Sequence, residues 1–452
     1  MMQECETPTI DALVDEAFEF AEDLNRPLRY VQINSFYDGS TGAIMRNLHN
    51  GLAERNIDSY IFWGRSRETI NDHEQRFATK MECLLHGAMA RLTDRAGFYS
   101  KRDTAKLLKR LDEIDPDVVH LHNLHGYYIN IEMLFSWLAQ HHCQVKWTLH
   151  DCWSFTGHCA HFTYVKCAQW MTHCAHLNPC PQLGTYPKTL FHSNCANNFA
   201  DKQRVFTSVP PERMTFIAPS FWLEKLVRRS FLKGYPVEVR HNIVDKSVFT
   251  PTSSNFREAA SVDNRFMILG VANPWSEHKG LNDFIYLANE LDDRYAIVIV
   301  GLSQKQVRMI RRIIRQQSQV KRKLSLEMTL AALVEKSRIG RKRNSRMSRL
   351  ELDFPVPNTI YGREGCSVIL FGHTNSREQL AAIYTAADVF FNPTREDNFP
   401  TVNLEAEACG TDVITYDTGG CRETIFRPGS CVVSSYEEAM HTTDSMRSKN
   451  DN

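Results

Sequence analysis

No apolar run in this 452-residue chain approaches the length of a membrane span. The first residues are acidic, where a secretory leader needs basic and then apolar ones. These two absences point to a cytoplasmic protein. Net charge is missing as well: 53 Lys+Arg balance 53 Asp+Glu, so no overall field draws the chain to nucleic acid. Close-set CxxC pairs are lacking, although there are 13 cysteines. In a cytoplasmic chain they are expected to be thiols, with room for one metal cluster, rather than a disulfide framework.

What is present is alternation of strand and helix patterns, twice over, in a chain too long for one core. Residues 1–27 form an acidic amphipathic extension, with Ile10, Leu13, Val14, Ala17 and Phe18 at helical spacing. It reads as a packing helix, with partner docking as the alternative. Apolar strands at Arg29–Asn34, Ser59–Gly64, Asp117–His122, Val145–His150, Arg213–Ser220 and Val237–Asn242 define a first α/β domain over 28–250. The polar, Pro-bearing stretch 251–264 reads as a linker. A second series over 265–452 has strands at Phe266–Val271, Tyr295–Gly301, Val368–Gly372, Val389–Phe391 and Asp412–Tyr416. Parallel sheets of this kind bind ligands at the carboxyl ends of their strands.

The most informative stretch is Asp397-Asn398-Phe399-Pro400-Thr401-Val402-Asn403-Leu404-Glu405. It places two carboxylates eight positions apart across a helix start. Asn398 is the expected N-cap, Pro400 sits in the first turn, and Gly410 is the stop. Free N–H groups at such an N-terminus suit phosphate, and Glu405 lies within reach of sugar hydroxyls. The plain alternative is a strand–loop–helix unit with solvated acids. Gly39-Ser40-Thr41-Gly42 follows the first strand and has the outline of a short phosphate cradle. Lys279, in Glu277-His278-Lys279-Gly280 after the strand that opens the second domain, is a natural counter-charge for a diphosphate. His150 ends a strand. His120 and His122 share a face of another and read as satisfied cleft or core histidines.

Taken together, Asp397 to Glu405, the downstream Thr418-Gly419-Gly420-Cys421-Arg422-Glu423 and Lys279 resemble family 4 of the retaining, nucleotide-sugar-dependent glycosyltransferases. The resemblance runs from about Leu28 to Cys431, apart from a basic insertion. It implies a GT-B fold, two Rossmann-like domains facing across a cleft, and transfer of a sugar from a nucleotide-diphosphate donor to a glycan or lipid-linked glycan acceptor with retention. No cofactor is implied for catalysis. Lys279 and the residues Asn398, Phe399, Pro400 and Thr401 would stabilise the departing diphosphate. Glu405 would hold the donor ribose, Asp397 the donor sugar, and His150 would face the acceptor. Asn273 would line the donor site, because Pro274 stands where the family carries an arginine. Asp397 replaces the family's usual glutamate, and Ile243 stands in place of the glycine of an Asn-Gly-Ile-Asp loop. After Glu423 the resemblance leaves only a polar tail where a long helix is usual. A catalytically degenerate scaffold is the rival reading.

Cys159, Cys167, Cys174 and Cys180 lie among several histidines in one loop and form a candidate structural zinc site. The surrounding Trp147 to Asp151, Thr156-Gly157-His158-Cys159 and Cys180-Pro181 resemble a subgroup of colanic-acid and exopolysaccharide glycosyltransferases. The stretch 305–350 is strongly basic and contains Arg311-Arg312, Lys321-Arg322-Lys323 and Arg341-Lys342-Arg343. It reads as a solvated insertion with a helix around Leu324 to Val334, then as a surface for anionic lipid, which would place the protein at the inner face of the membrane. It lacks the interleaved aromatics of a single-strand nucleic-acid binder.

Overall fold

A computed structural model of the chain describes residues 9–22, 24, 26–174, 180–190, 193–322, 354 and 358–450. The chain divides into two compact units, Met1–Ile243 and Val244–Asn452. Each is built on one seven-stranded sheet.

In the first unit the strands are β1 (Arg29–Phe36), β2 (Asp58–Arg65), β3 (Glu74–Arg76), β4 (Val118–Leu121), β5 (Gln144–Thr148), β6 (Met214–Ala218) and β7 (Val237–Val239). They are all parallel, in the order β3-β2-β1-β4-β5-β6-β7. Strands β4, β5 and β6 are short and almost wholly buried, as expected of a sheet covered on both faces. The helix Ala12–Glu22 packs on this unit through Ile10, Leu13 and Ala17, beside Leu28, Leu48 and Leu52. The N-terminal extension is thus a packing helix of the first unit.

The second unit contains β8 (Phe266–Val271), β9 (Tyr295–Val300), β10 (Asn358–Tyr361), β11 (Ser367–Leu370), β12 (Val389–Asn392), β13 (Val413–Tyr416) and β14 (Cys431–Val433). The order is β10-β11-β9-β8-β12-β13-β14, with only β10 antiparallel to its neighbour. Phe256, Ala260 and Val262, within the stretch expected as a linker, are buried in this unit's core.

Two expectations need correction here. The basic stretch begins as an integral helix, Gln304–Arg322, whose Val307, Ile310 and Ile314 are buried against the sheet. An amphipathic helix can be rich in arginine and still be core, because one apolar stripe suffices. The helix expected around Leu324 to Val334 lies outside the described residues. The polar tail after Glu423 folds as well: Tyr436–Asn450 is a helix that contributes Ala439 and Met440 to the core.

The order of each sheet reverses at one point, between β1 and β4 in the first unit and between β8 and β12 in the second. Loops leaving neighbouring strands there run in opposite directions, so a crevice opens at the strands' carboxyl ends. Gly39 to Gly42 follow β1, Lys279 follows β8 and Asp397 follows β12, so they lie at those two stations, whereas His150 and the four cysteines follow β5.

Candidate active site

In the second unit, the loop after β8 carries Lys279 and the loop after β12 carries Asp397. Close backbone approaches lock the two loops together. Gly280 has φ +73°, and a Cβ there would stand 2.3 Å from the Pro393 carbonyl oxygen. The Arg395 N–H donates to the His278 carbonyl at 2.8 Å. The Lys279 ammonium consequently reaches Asp397, with Nζ to Oδ2 at 2.5 Å. The second glycine loop fixes Asp397 from the other side. Gly419 has φ +59° and leaves no room for a Cβ, which would fall 1.9 Å from the Asp397 carbonyl oxygen. The next N–H, that of Gly420, donates to the same carbonyl at 2.9 Å. Three segments far apart in sequence thus meet on Asp397.

The helix carrying Glu405 spans Thr401–Ala408. Its cap is Pro400, with extended backbone and no side-chain capping bond, so Asn398 is not the N-cap that the sequence suggested. The reason is local. A residue that precedes proline is pushed out of the helical region, so Phe399 cannot be the first helical residue. Asn398, Phe399 and Pro400 are instead buried in the loop, and Thr401 opens the helix. Gly410, at φ +86°, ends it as expected.

Glu405 accepts a hydrogen bond from the Tyr384 hydroxyl at 3.1 Å. Burial pushes its carboxyl up to about 7, and the Tyr384 bond and the charge of Arg377 only partly counter this. It is poised between acid and carboxylate at neutral pH. Asn403, two residues earlier, is buried and bridges Asn392 and Thr424. Neither Tyr384 nor Arg377 was legible beforehand, because each reaches the site from the helix Arg377–Ala386, outside the motif. Arg395 was also missed. It pairs with Asp283 at 2.6 Å and lies over the Tyr416 ring. Asn273 is exposed after β8.

In the first unit, exposed Gly39 and Ser40 and half-buried Thr41 form the first turn of the helix Gly39–Glu54, after β1. Gly42 is there for space: a Cβ would stand 2.0 Å from the Tyr37 carbonyl oxygen. Beside this turn runs a ladder of buried rings. The His120 Nδ1 meets the Tyr30 hydroxyl at 2.9 Å, and its Nε2 meets the Thr148 hydroxyl at 2.7 Å. His122 stacks on His120 and on His150.

The hydrogen bonds of the second rung fix its protons. Gln32 Nε2 donates to the Met45 carbonyl at 3.1 Å, which turns Gln32 Oε1 toward His122 Nε2, 3.0 Å away. That nitrogen must then carry a hydrogen, so His122 Nδ1 is an acceptor. It accepts from His150 Nε2 at 3.1 Å. His150 therefore presents a bare Nδ1. Burial keeps the ring neutral, with its pKa lowered to about 4, and His120 and His122 are also lowered by burial. His150 lines a small pocket with His125, Asp151 and Trp153. There His125 Nε2 pairs with Asp151 at 2.7 Å, a dyad that the sequence did not single out. Burial raises the Asp151 carboxyl, but His125, His161 and the Trp153 N–H together hold it down at about 2.

Residues 365–440 match the family model described as Glycosyl transferases group 1. The putative colanic acid biosynthesis glycosyl transferase WcaC of Escherichia coli K12 is 24% identical over 399 residues, covering 87% of this chain and 82% of its own. The D-inositol 3-phosphate glycosyltransferase of Mycolicibacterium smegmatis is 42% identical over 52 residues, 12% of each chain. Among solved structures, sucrose-phosphate synthase from Thermosynechococcus elongatus aligns with a TM-score of 0.59 at 15% identity, covering 93% of this chain and 90% of its own. Anabaena Alr3699/HepE, solved with UDP, aligns with a TM-score of 0.53 at 12% identity over 94% of this chain and 91% of its own. The fold is that of the GT-B glycosyltransferases, with two Rossmann-like domains.

Proposed function

We propose that this chain, a glycosyltransferase by its group 1 domain, transfers a sugar from a nucleotide-diphosphate donor to a growing surface polysaccharide with retention of configuration. The observation that carries the proposal is the convergence of Lys279, Asp397 and the Glu405 helix on the β8/β12 switch point.

Charge develops on the leaving diphosphate as the glycosidic bond breaks. Lys279 and the N–H groups at the start of the Thr401–Ala408 helix are preorganised donors for that charge. Asp397, held by three loops, accepts hydrogen bonds from the donor sugar, and Glu405 accepts them from the ribose. The bare Nδ1 of His150 suits a sugar hydroxyl, which arrives as a donor. The leaving phosphate serves as base on the face from which it departs. None of these steps needs a bound metal.

The WcaC similarity supports polysaccharide as the product class. A lipid-linked acceptor, taken up at the inner membrane face, is supported by the helix Lys80–Thr93. Met81, Leu84 and Leu85 are 65%, 70% and 55% exposed there, in line with Met89 and Leu92. Lys80, which pairs with Glu68 at 2.8 Å, and Arg91 flank this apolar face, and Arg91 would favour an anionic lipid surface. Of the basic stretch 305–350 assigned to such a surface, residues 323–350 lie outside the described chain.

The test is a panel of UDP-, GDP- and ADP-sugars, read by thermal shift and by nucleotide diphosphate released on adding acceptor. A donor that stabilises the wild type but not Glu405→Ala, with acceptor-dependent release, is expected. A folded protein that binds no donor refutes the reading. Binding without turnover selects the degenerate scaffold, which Pro274 favours. Flotation with anionic vesicles, lost in Leu84→Asp/Leu85→Asp, checks the lipid surface.

A further inference from the structure

Between β5 and the helix Cys195–Phe206 the chain runs for more than forty residues, from Asp151 to Asn194. The only regular elements among its described residues are two short 3-10 turns, Trp153–Phe155 and Gln169–Met171. Loops this long inside a compact domain need something to hold them. Its apolar anchors are Trp153, Phe155, Phe162 and Trp170, buried in the core of the first unit.

The chemistry-bearing groups in the loop are thiols. Cys159, Cys167, Cys174 and Cys180 line one small cavity, with Phe162 and Trp170 as apolar walls. Cys159, Cys174 and Cys180 are buried, and all the described cysteines are unbridged. The sulfur of Cys180 lies within hydrogen-bonding reach of both Cys159 and Cys195. The backbone is shaped around sulfur. The Gly157 N–H donates to Cys174 Sγ at 3.3 Å, as main-chain groups do toward metal-bound thiolates. Position 157 admits only glycine, since a Cβ would stand 2.0 Å from the Cys195 carbonyl oxygen.

A buried cation beneath the loop supplies an independent argument. The Lys202 ammonium is fully buried, donates to the Trp153 and Thr156 carbonyls at 2.8 and 3.0 Å, and sits 3.4 Å from the Trp153 ring centroid. No carboxylate oxygen is hydrogen-bonded to it among the described residues. The groups that act on it electrostatically are Cys174 and Cys159 first, then Asp151 and Asp94. A buried ammonium calls for negative charge nearby. Asp151 and Asp94 supply part of it, and neutral thiols add none. Four thiolates around a divalent ion carry a net charge of −2, with the negative end on sulfur.

We infer that Cys159, Cys167, Cys174 and Cys180 bind one zinc ion as a structural tetrathiolate, with Lys202 as its buried counter-charge. Binding replaces the four thiol protons, which pass to solvent, and involves no redox step. The ion staples the loop to the end of β5, beside His150. The site is separate from the sugar chemistry, so it stands or falls apart from the proposed transferase activity. A neighbouring trio, Asp94, His158 and Cys195, is the competing arrangement, and among the described residues it is the group whose ligand atoms already lie within 4.8 Å of one another, whereas the four cysteines must draw together on the ion. There His158 Nδ1 pairs with Asp94 at 2.5 Å, and its buried Nε2 has no hydrogen-bond partner among the described residues.

The test is metal content of the full chain by mass spectrometry. One zinc per chain is expected. It should be lost in Cys167→Ser and in Cys174→Ser, and kept in Cys83→Ser and Cys431→Ser. Should the serine variants fail to fold, cobalt(II) exchanged into the wild type must give a sulfur-to-metal charge-transfer band of tetrathiolate strength. Chelation should then lower the melting temperature, and zinc should restore it. Absence of stoichiometric metal after reconstitution of the reduced protein with zinc overturns the inference. So does zinc that survives Cys167→Ser and Cys174→Ser but is lost in His158→Ala and Cys195→Ser.

Discussion

Glu405 makes donor binding a titration. If the ribose hydroxyls donate to this carboxyl, only its ionised form binds well. Burial holds the group at about 7 in the free protein. At pH 6 about one molecule in eleven then carries the carboxylate, and at pH 8 about ten in eleven do, so affinity rises about tenfold, or ~1.4 kcal/mol. Calorimetric titration with the intact nucleotide-diphosphate sugar from pH 6 to pH 8 measures this. The intact donor is needed because a free terminal phosphate titrates near about 6 itself. Glu405→Gln should bind weakly and without the pH slope. Tyr384→Phe removes the bond that lowers the Glu405 pKa, so the midpoint should move to higher pH. A wild-type affinity that is flat across this window, or a slope that persists in Glu405→Gln, would refute the assignment.

Lys279→Met should lower kcat by ~10²–10³-fold, the range for loss of one preorganised donor to developing charge, with a smaller change in KM; steady-state kinetics on the identified donor decide this. Gly419→Ala forces a Cβ into the Asp397 carbonyl at positive φ. It should cost about 1–2 kcal/mol from the backbone alone, lower the melting temperature, and cut turnover. Normal turnover would mean that Asp397 is not held as described. The histidine ladder predicts acid lability. His150 is lowered to about 4 from its ordinary 6.5, so the unfolded chain binds the proton first. Stability should therefore fall as pH drops from about 6.5 toward 4, with a shallower slope in melting temperature for His150→Gln.

The alternation of strand and helix was legible because the central strands are uninterrupted Val/Ile/Phe runs, such as Tyr295–Val300. Of the edge strands only β7 was, within Val237–Asn242. β3 is Glu-Gln-Arg, and β10 and β14 are short, since an edge strand needs no apolar face of its own. Lys279, Asp397 and Glu405 could be picked out because local order carries them. The contacts they make could not: Tyr384 on Glu405, Gly419 on Asp397 and Gln32 on His122 arise from the tertiary fold, which one-dimensional spacing does not encode. The Asn398 cap failed because a proline two residues on redirects the backbone. The basic segment misled because its charge hides a narrow apolar stripe of Val307, Ile310 and Ile314.

The Gln32–His122–His150 relay has a direction, and a main-chain atom sets it. A carbonyl oxygen can only accept, so the Met45 carbonyl orients every proton up to His150 Nδ1. The polarity offered to an incoming hydroxyl is written into the fold of the Gly39–Glu54 helix and not into the loops that line the pocket. Those loops are free to vary in shape and so in the sugar they admit, while the question put to each acceptor stays the same: whether it brings a hydrogen to give.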